Sequence, residues 1–208
     1  MPLLGLFIAV ICLLTFFRKR SIRSQESATD RFWKRESIAN NTRLKDLSGL
    51  PYITIPFDKF PIGMYENDLL KKYEKTLQVL SEQKIVNLGT QTNTDLKITY
   101  GTASLPALTE YEQNFTTLCQ TLIAYAGQLS ELGHTGEART ILEYGISIGS
   151  DLSQNYLQLA EIYQSCGETG RIRELLASAE QLDSLMKRSI VEKLTSMLPD
   201  APADTPVQ

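Results

Sequence analysis

The side chains that most often ligate metals or attack substrates are scarce in this sequence, which has one histidine and three cysteines in 208 residues. His134 follows Gly133 where a turn between two helices is expected, and it reads as a solvent-exposed turn residue. With no second histidine, a multi-histidine metal site is excluded. No Cys-x-x-Cys occurs, so zinc-ribbon and thioredoxin-type chemistry has no basis. The glycines fall at expected helix ends and turns, and none builds a phosphate-binding loop. The carboxylates are spread along predicted helix surfaces, as solvated faces require. The sequence therefore points to no catalytic residue, no metal and no cofactor, and the chain is not expected to be an enzyme.

The elements that carry these residues read as an all-α chain with an N-terminal single-pass transmembrane helix. Residues 3–17 (LLGLFIAVICLLTFF) are uninterruptedly apolar and run into Arg18, Lys19, Arg20 and Arg23. Fifteen helical residues span about 22 Å, and Met1, Pro2 and snorkelling cations bring them to the lower limit for a hydrocarbon core of roughly 30 Å. A cleaved signal peptide carries its charge before the apolar run and small residues after it, the reverse of this order. An uncleaved anchor, residues 1–17, fits better. Because cations follow the span, the C-terminal side is expected in the cytoplasm of a cell-membrane protein. Cysteine placement agrees: Cys12 lies in the anchor, and Cys119 and Cys166 are expected about 20 Å apart on neighbouring helices, too far for a disulfide.

Residues 18–63 form a basic juxtamembrane and Pro-rich extended segment. Positions 18–46 hold nine Lys or Arg against four Asp or Glu, while the remainder of the chain is acidic. The basic collar, residues 18–35, would attract anionic headgroups at about 1 kcal/mol per charge. Asp30 to Glu36 can start an amphipathic helix with Phe32 and Trp33 at the interface, or the collar can be a solvated linker. Nucleic-acid binding does not fit the acidic remainder. Pro51, Pro56 and Pro61 then exclude a helix. Tyr52, Ile53, Ile55, Phe57 and Phe60 between them are too many apolar residues for a free linker. They are expected to dock between a helix at 64–88 and a long helix from 105. Docking on a concave ligand face instead would make the segment its own competitor.

Helical periodicity returns in residues 64–198. Leu69, Tyr73, Leu77, Leu80 and Ile85 mark one face of the first helix, near a start at Asn67 or Asp68. Residues 105–132 show threes-and-fours spacing throughout and predict one long helix, with Ser104 able to cap it. A capping helix is expected within 185–198, followed by a disordered tail at 199–208.

A 34-residue beat overlies this periodicity. Leu122, Tyr125, Ala126, Leu129 and Gly133 recur as Tyr156, Leu159, Ala160, Tyr163 and Gly167, and Ala138, Leu142 and Gly145 as Ile172, Leu176 and Ala179. The two glycines end first helices, and Thr135 and Thr169 are candidate caps for second helices. The pattern resembles the tetratricopeptide (TPR) family over roughly residues 119–184. It departs from the family at Leu122 and Tyr156, where tryptophan is frequent. Ser150 and Ser184 stand where proline is favoured, and Ile172 where alanine is.

The resemblance implies about two stacked helix pairs with flanking helices and a concave face on the first helices that binds a peptide. The matching positions are Gln120, Ala124, Gly127, Ser130 and Glu131, then Gln154, Gln158, Glu161, Gln164 and Ser165. None is basic, so the family's carboxylate clamp is missing and a neutral or basic peptide is favoured. The expectation is a membrane-anchored protein–protein interaction module with an unidentified protein or peptide partner. The alternative is a structural subunit of a homo- or hetero-oligomeric membrane assembly.

Overall fold

The structure, a computed structural model, describes residues 29–198. The predicted anchor at 3–17, collar residues 18–28 and the tail at 199–208 lie outside the described residues. Among the described residues the fold is all-α, without a strand. Helix α1 covers residues 29–40. It is followed by α2 (Asp68–Ser81), α3 (Asn93–Tyr100), α4 (Leu105–Glu131), α5 (Thr135–Ser147), α6 (Ser153–Ser165), α7 (Thr169–Glu180) and α8 (Lys187–Met197). Among the described residues no helix is long and apolar enough to cross a membrane.

The chain forms two compact units. Among the described residues, one joins residues 29–47 with Thr92–Pro106, and the other joins Ser48–Gln91 with residues 107–198. In the first unit, α3 starts at a capping box: Thr92 and Asp95 each satisfy the other's backbone N–H. Helix α1 is tied to α3 by charge. Arg35 pairs with Asp95, Lys97 pairs with Glu36, and the Thr94 hydroxyl donates to Glu36 at 2.8 Å.

In the second unit, Asn67 caps α2 by accepting from the Leu69 and Leu70 N–H groups. The helix stops at Ser81, short of the expected 88. Residues 85, 86 and 88 are buried from a non-helical segment instead. The buried stripe is Leu70, Glu74, Leu77 and Leu80, one step round from the expected one, and Leu69 is exposed. Helix α4 matches its expected span within a residue. Ser104 does not act as the expected side-chain cap: it lies in a 3-10 turn (Thr102–Ser104) and donates its hydroxyl to the Tyr100 carbonyl.

The 34-residue beat is visible in the element boundaries. Helices α4 and α6 end at Glu131 and Ser165, and α5 and α7 begin at Thr135 and Thr169. Both first helices end in the same motif. Gly133 and Gly167 take φ of +86° and +72°, and the next N–H reaches back to Leu129 and Tyr163 at 2.8 Å in each case. This turn places His134 and Glu168 at the N-cap positions, with no side-chain cap bond. Thr135 and Thr169 are already helical and are not caps.

Leu122, Tyr125, Ala126, Leu129 and Ala138 are buried together with Tyr156, Leu159, Ala160, Tyr163 and Ala179 in one core cluster. A fully buried leucine is worth about 1.5–3 kcal/mol. Helix α6 packs against α5, α7 and α8. At the α5–α6 approach, a Cβ at Gly145 would come within 2.4 Å of Asn155 Oδ1. Glycine there lets the fully buried Asn155 donate to the Leu142 carbonyl at 3.0 Å. Helix α8 closes the array with Ile190 and Leu194.

Candidate functional site

The second unit presents two polar clusters and a docked strap. The first cluster is a groove of about 300 Å³ between the end of α4 and α6, lined by Gly127, Ser130, Glu131, Thr135, Gln158, Glu161, Ile162 and Ser165. Six of the expected concave-face residues therefore meet here: Gly127, Ser130, Glu131, Gln158, Glu161 and Ser165. Gln120, Ala124, Gln154 and Gln164 do not line this groove; Gln120, Gln154 and Gln164 are exposed and Ala124 is half-buried. Ile162, almost fully buried, and Thr135 were missed by the sequence reading. The small residue at 127 makes the groove possible, since a Cβ there would press on the Gln158 amide nitrogen at 3.3 Å.

Gln158 has an unusual status. Its Oε1 is shut off from solvent and accepts no hydrogen bond from the protein. An unsatisfied buried acceptor typically costs about 1–3 kcal/mol. Glu131 and Glu161 are exposed at the rim, where Gln128 donates to Glu131 at 3.2 Å. The groove thus offers one sealed acceptor and two carboxylates.

The second cluster lies where α5, α6 and α7 meet. The Tyr163 hydroxyl donates to Glu143 at 2.7 Å, and the guanidinium groups of Arg139 and Arg171 lie 5.0 and 5.6 Å from its ring. Arg139 pairs with Glu143 at 2.9 Å and Glu168 at 2.8 Å, and Arg171 pairs with Glu143 at 3.3 Å and Glu174 at 2.6 Å. Burial raises the Glu143 pKa, but the Tyr163 hydroxyl and Arg139 outweigh it and hold the carboxyl below its ordinary range. Burial, then the bond to Glu143, pushes the Tyr163 hydroxyl up to about 12. Sequence carried part of this signal in the i,i+4 pair Arg139–Glu143 and the i,i+3 pair Arg171–Glu174.

The Pro-rich segment is a strap across α4 and α5. Ile55 and Phe60 are buried in the core, and the Phe60 ring meets Tyr144 edge to face at 5.4 Å. The Tyr144 hydroxyl donates to the Thr54 carbonyl at 2.9 Å. The Tyr125 hydroxyl faces two acceptors, the Pro61 carbonyl at 3.3 Å and the buried Glu74 carboxylate on α2 at 3.0 Å. The expected receptor therefore extends beyond α2 and α4 to α5. None of these strap contacts involves a groove residue, so self-competition has no geometric support.

His134 departs from the expected exposed turn residue. It is half-buried and stacks on Tyr65 at 3.7 Å, while the Tyr65 hydroxyl donates to Glu137 at 2.8 Å. Cys119 is buried and Cys166 exposed, and both thiols are free. Burial pushes the Cys119 thiol up to about 11, which makes it a poor nucleophile near neutral pH. Among the described residues no three His, Cys, Asp or Glu side chains are grouped to hold a metal ion. A wider cavity of about 740 Å³ opens between Asn87, Gly89 and Thr90, Glu112 and Phe115 of α4, and residues 181–186. Hydrogen bonds from Ser184 to Asp151 and from Thr90 to Asp183 brace its wall. Compared with protein-family models, with curated proteins and with solved structures, the chain matches none.

Proposed function

We propose that the chain is a membrane-anchored protein–protein interaction module. In this reading α4–α5 and α6–α7 act as two tetratricopeptide-like units, and the groove between α4 and α6 receives a neutral or basic peptide segment. The observation that carries it is the Gln158 Oε1, a sealed acceptor in a groove rimmed by Glu131 and Glu161. An extended peptide supplies lysine or arginine to the rim, and a backbone or side-chain N–H to that oxygen once the Gln158 side chain turns out into the groove. Residues 3–17 tether the module, with residues 18–208 on the cytoplasmic side. No catalysis is assigned to it.

The full chain in detergent, applied to an unbiased peptide array, tests this reading. Bound peptides should be neutral or basic, and Glu131→Lys with Glu161→Lys should shift the preference towards acidic ones. Binding confined to acidic peptides, or indifferent to the double charge reversal, would sink the proposal. The second reading, a structural subunit that self-associates, is favoured by the fully exposed Leu185 beside Met186 at the α7–α8 turn. A monomeric mass for the detergent-solubilised chain removes it.

A further inference from the structure

Helix α1 is tied to its unit by several polar contacts. Arg35 and Glu36 pair with Asp95 and Lys97, Asn40 accepts from Lys97 at 3.2 Å, and the Thr102 hydroxyl donates to the Ala39 carbonyl at 3.0 Å. Trp33 and Ile38 point elsewhere. Phe32 and Trp33 form an edge-to-face pair at 5.4 Å and are 54% and 63% exposed, and Ile38 is 54% exposed. Ala39 is fully buried. At 3.6 residues per turn, Trp33, Lys34, Ser37 and Ile38 fall on the side of the helix away from it. Leu44, just past the helix, is 66% exposed. A helix packed only for water would bury the aromatic pair and expose the ion pairs. An outer face that mixes aromatic, aliphatic and cationic side chains belongs at a headgroup boundary.

We propose that α1 lies flat on an anionic lipid surface, with Trp33 and Ile38 among the headgroups and Lys34 towards the lipid phosphates. This rests on the anchoring reading above and adds a second, structured contact to it. Charge selects the occupant: residues 18–46 carry nine cationic side chains against four anionic ones. Chain length agrees, because residues 18–28 reach at most about 40 Å when fully extended. A span at 3–17 therefore keeps α1 near the bilayer. The ion pairs to α3 then orient the first unit on the membrane, since they fix which side of α1 faces lipid.

Trp33 is the only tryptophan in the chain, so its fluorescence reports on α1 alone. The full chain is reconstituted into vesicles containing anionic phospholipid, and Trp33 is challenged with aqueous acrylamide and with phospholipids brominated near the headgroup. The expected result is several-fold weaker acrylamide quenching than in the urea-unfolded chain, together with strong quenching by brominated lipid. That lipid quenching should fall in purely zwitterionic vesicles and with Lys34→Glu. Trp33 open to acrylamide overturns the proposal. So does Trp33 shielded from acrylamide yet silent to brominated lipid, which would mean that protein covers it: residues 3–17, a second copy or a partner. Flotation of the same vesicles separates the two readings. A chain that floats without lipid quenching loses this inference and keeps the anchor, whereas a chain that does not float loses both.

Discussion

Two polar clusters flank helix α6, and they differ in how completely they are answered. Around Tyr163, Glu143 takes the tyrosine hydroxyl and two guanidinium groups, and both arginines find further carboxylates. Around Gln158, a carbonyl oxygen cut off from water has no donor, and two carboxylates stand at an open rim. Buried polar groups are nearly always satisfied, and a network complete within the protein locks packing. A cluster left one bond short keeps free energy in reserve for whatever brings the missing donor. The first cluster fastens α5, α6 and α7 together, and the second leaves an acceptor for which the chain itself supplies no donor.

The comparison breaks most visibly at Tyr163. Tyr163→Ala should lower stability by about 3–5 kcal/mol, because it empties a core position and strips Glu143 and two arginines of a shared partner. Thermal unfolding of the full chain in detergent measures this, and a shift equal to that of an exposed substitution such as Arg188→Ala would remove the cluster's fastening role. Gln158→Leu should do the opposite, stabilising the free chain by about 1 kcal/mol or more by removing an unmade bond. The same variant should bind array peptides more weakly. Destabilisation with unchanged binding would show that the Gln158 oxygen is already satisfied.

The smallest effect concerns pH. The Glu143 pKa is depressed in the folded state, so its contribution is fully present above the ordinary carboxylate value near 4.5 and is lost as pH falls through the folded value. Glu143→Gln should therefore narrow its stability gap to the parent chain in acid. Because the side chain is 36% exposed, the gap itself should be less than about 1 kcal/mol. Urea unfolding at neutral pH and below pH 4 measures it, and a gap that widens in acid would contradict the direction.

Much of the helical scaffold was legible because its signals are local. The threes-and-fours spacing placed α4 within a residue, and the paired glycines placed both first-helix ends. Helix α3 was passed over although Thr92 and Asp95 spell a capping box, because its few apolar residues gave little periodicity. Helix α2 was misread for a different reason. Glu74 interrupts the buried stripe, and its partner Tyr125 is 51 residues away and invisible to any local window. Extending α2 to 88 reflects the same limit, since Ile85 and Leu88 are buried whether the backbone is helical or not. Six of the eight groove residues followed from their register on first helices, and Thr135 and Ile162 did not. The Tyr163 cluster needed the approach of α5 to α6, across 20 residues of sequence, before its charges could be assigned to one another.

The strap has a consequence for how the chain is made. Thr54 meets Tyr144 across 90 residues, and Pro61 meets Tyr125 across 64. Synthesis runs from the N-terminus, so the strap leaves the ribosome well before its receptor exists. At about 5–20 residues per second, Ile55 and Phe60 wait roughly 5–20 s for α5 to be completed. Throughout that interval the nascent chain carries an uncovered apolar stretch, and the prolines at 51, 56 and 61 limit its ability to pair with a neighbouring nascent chain as an edge strand.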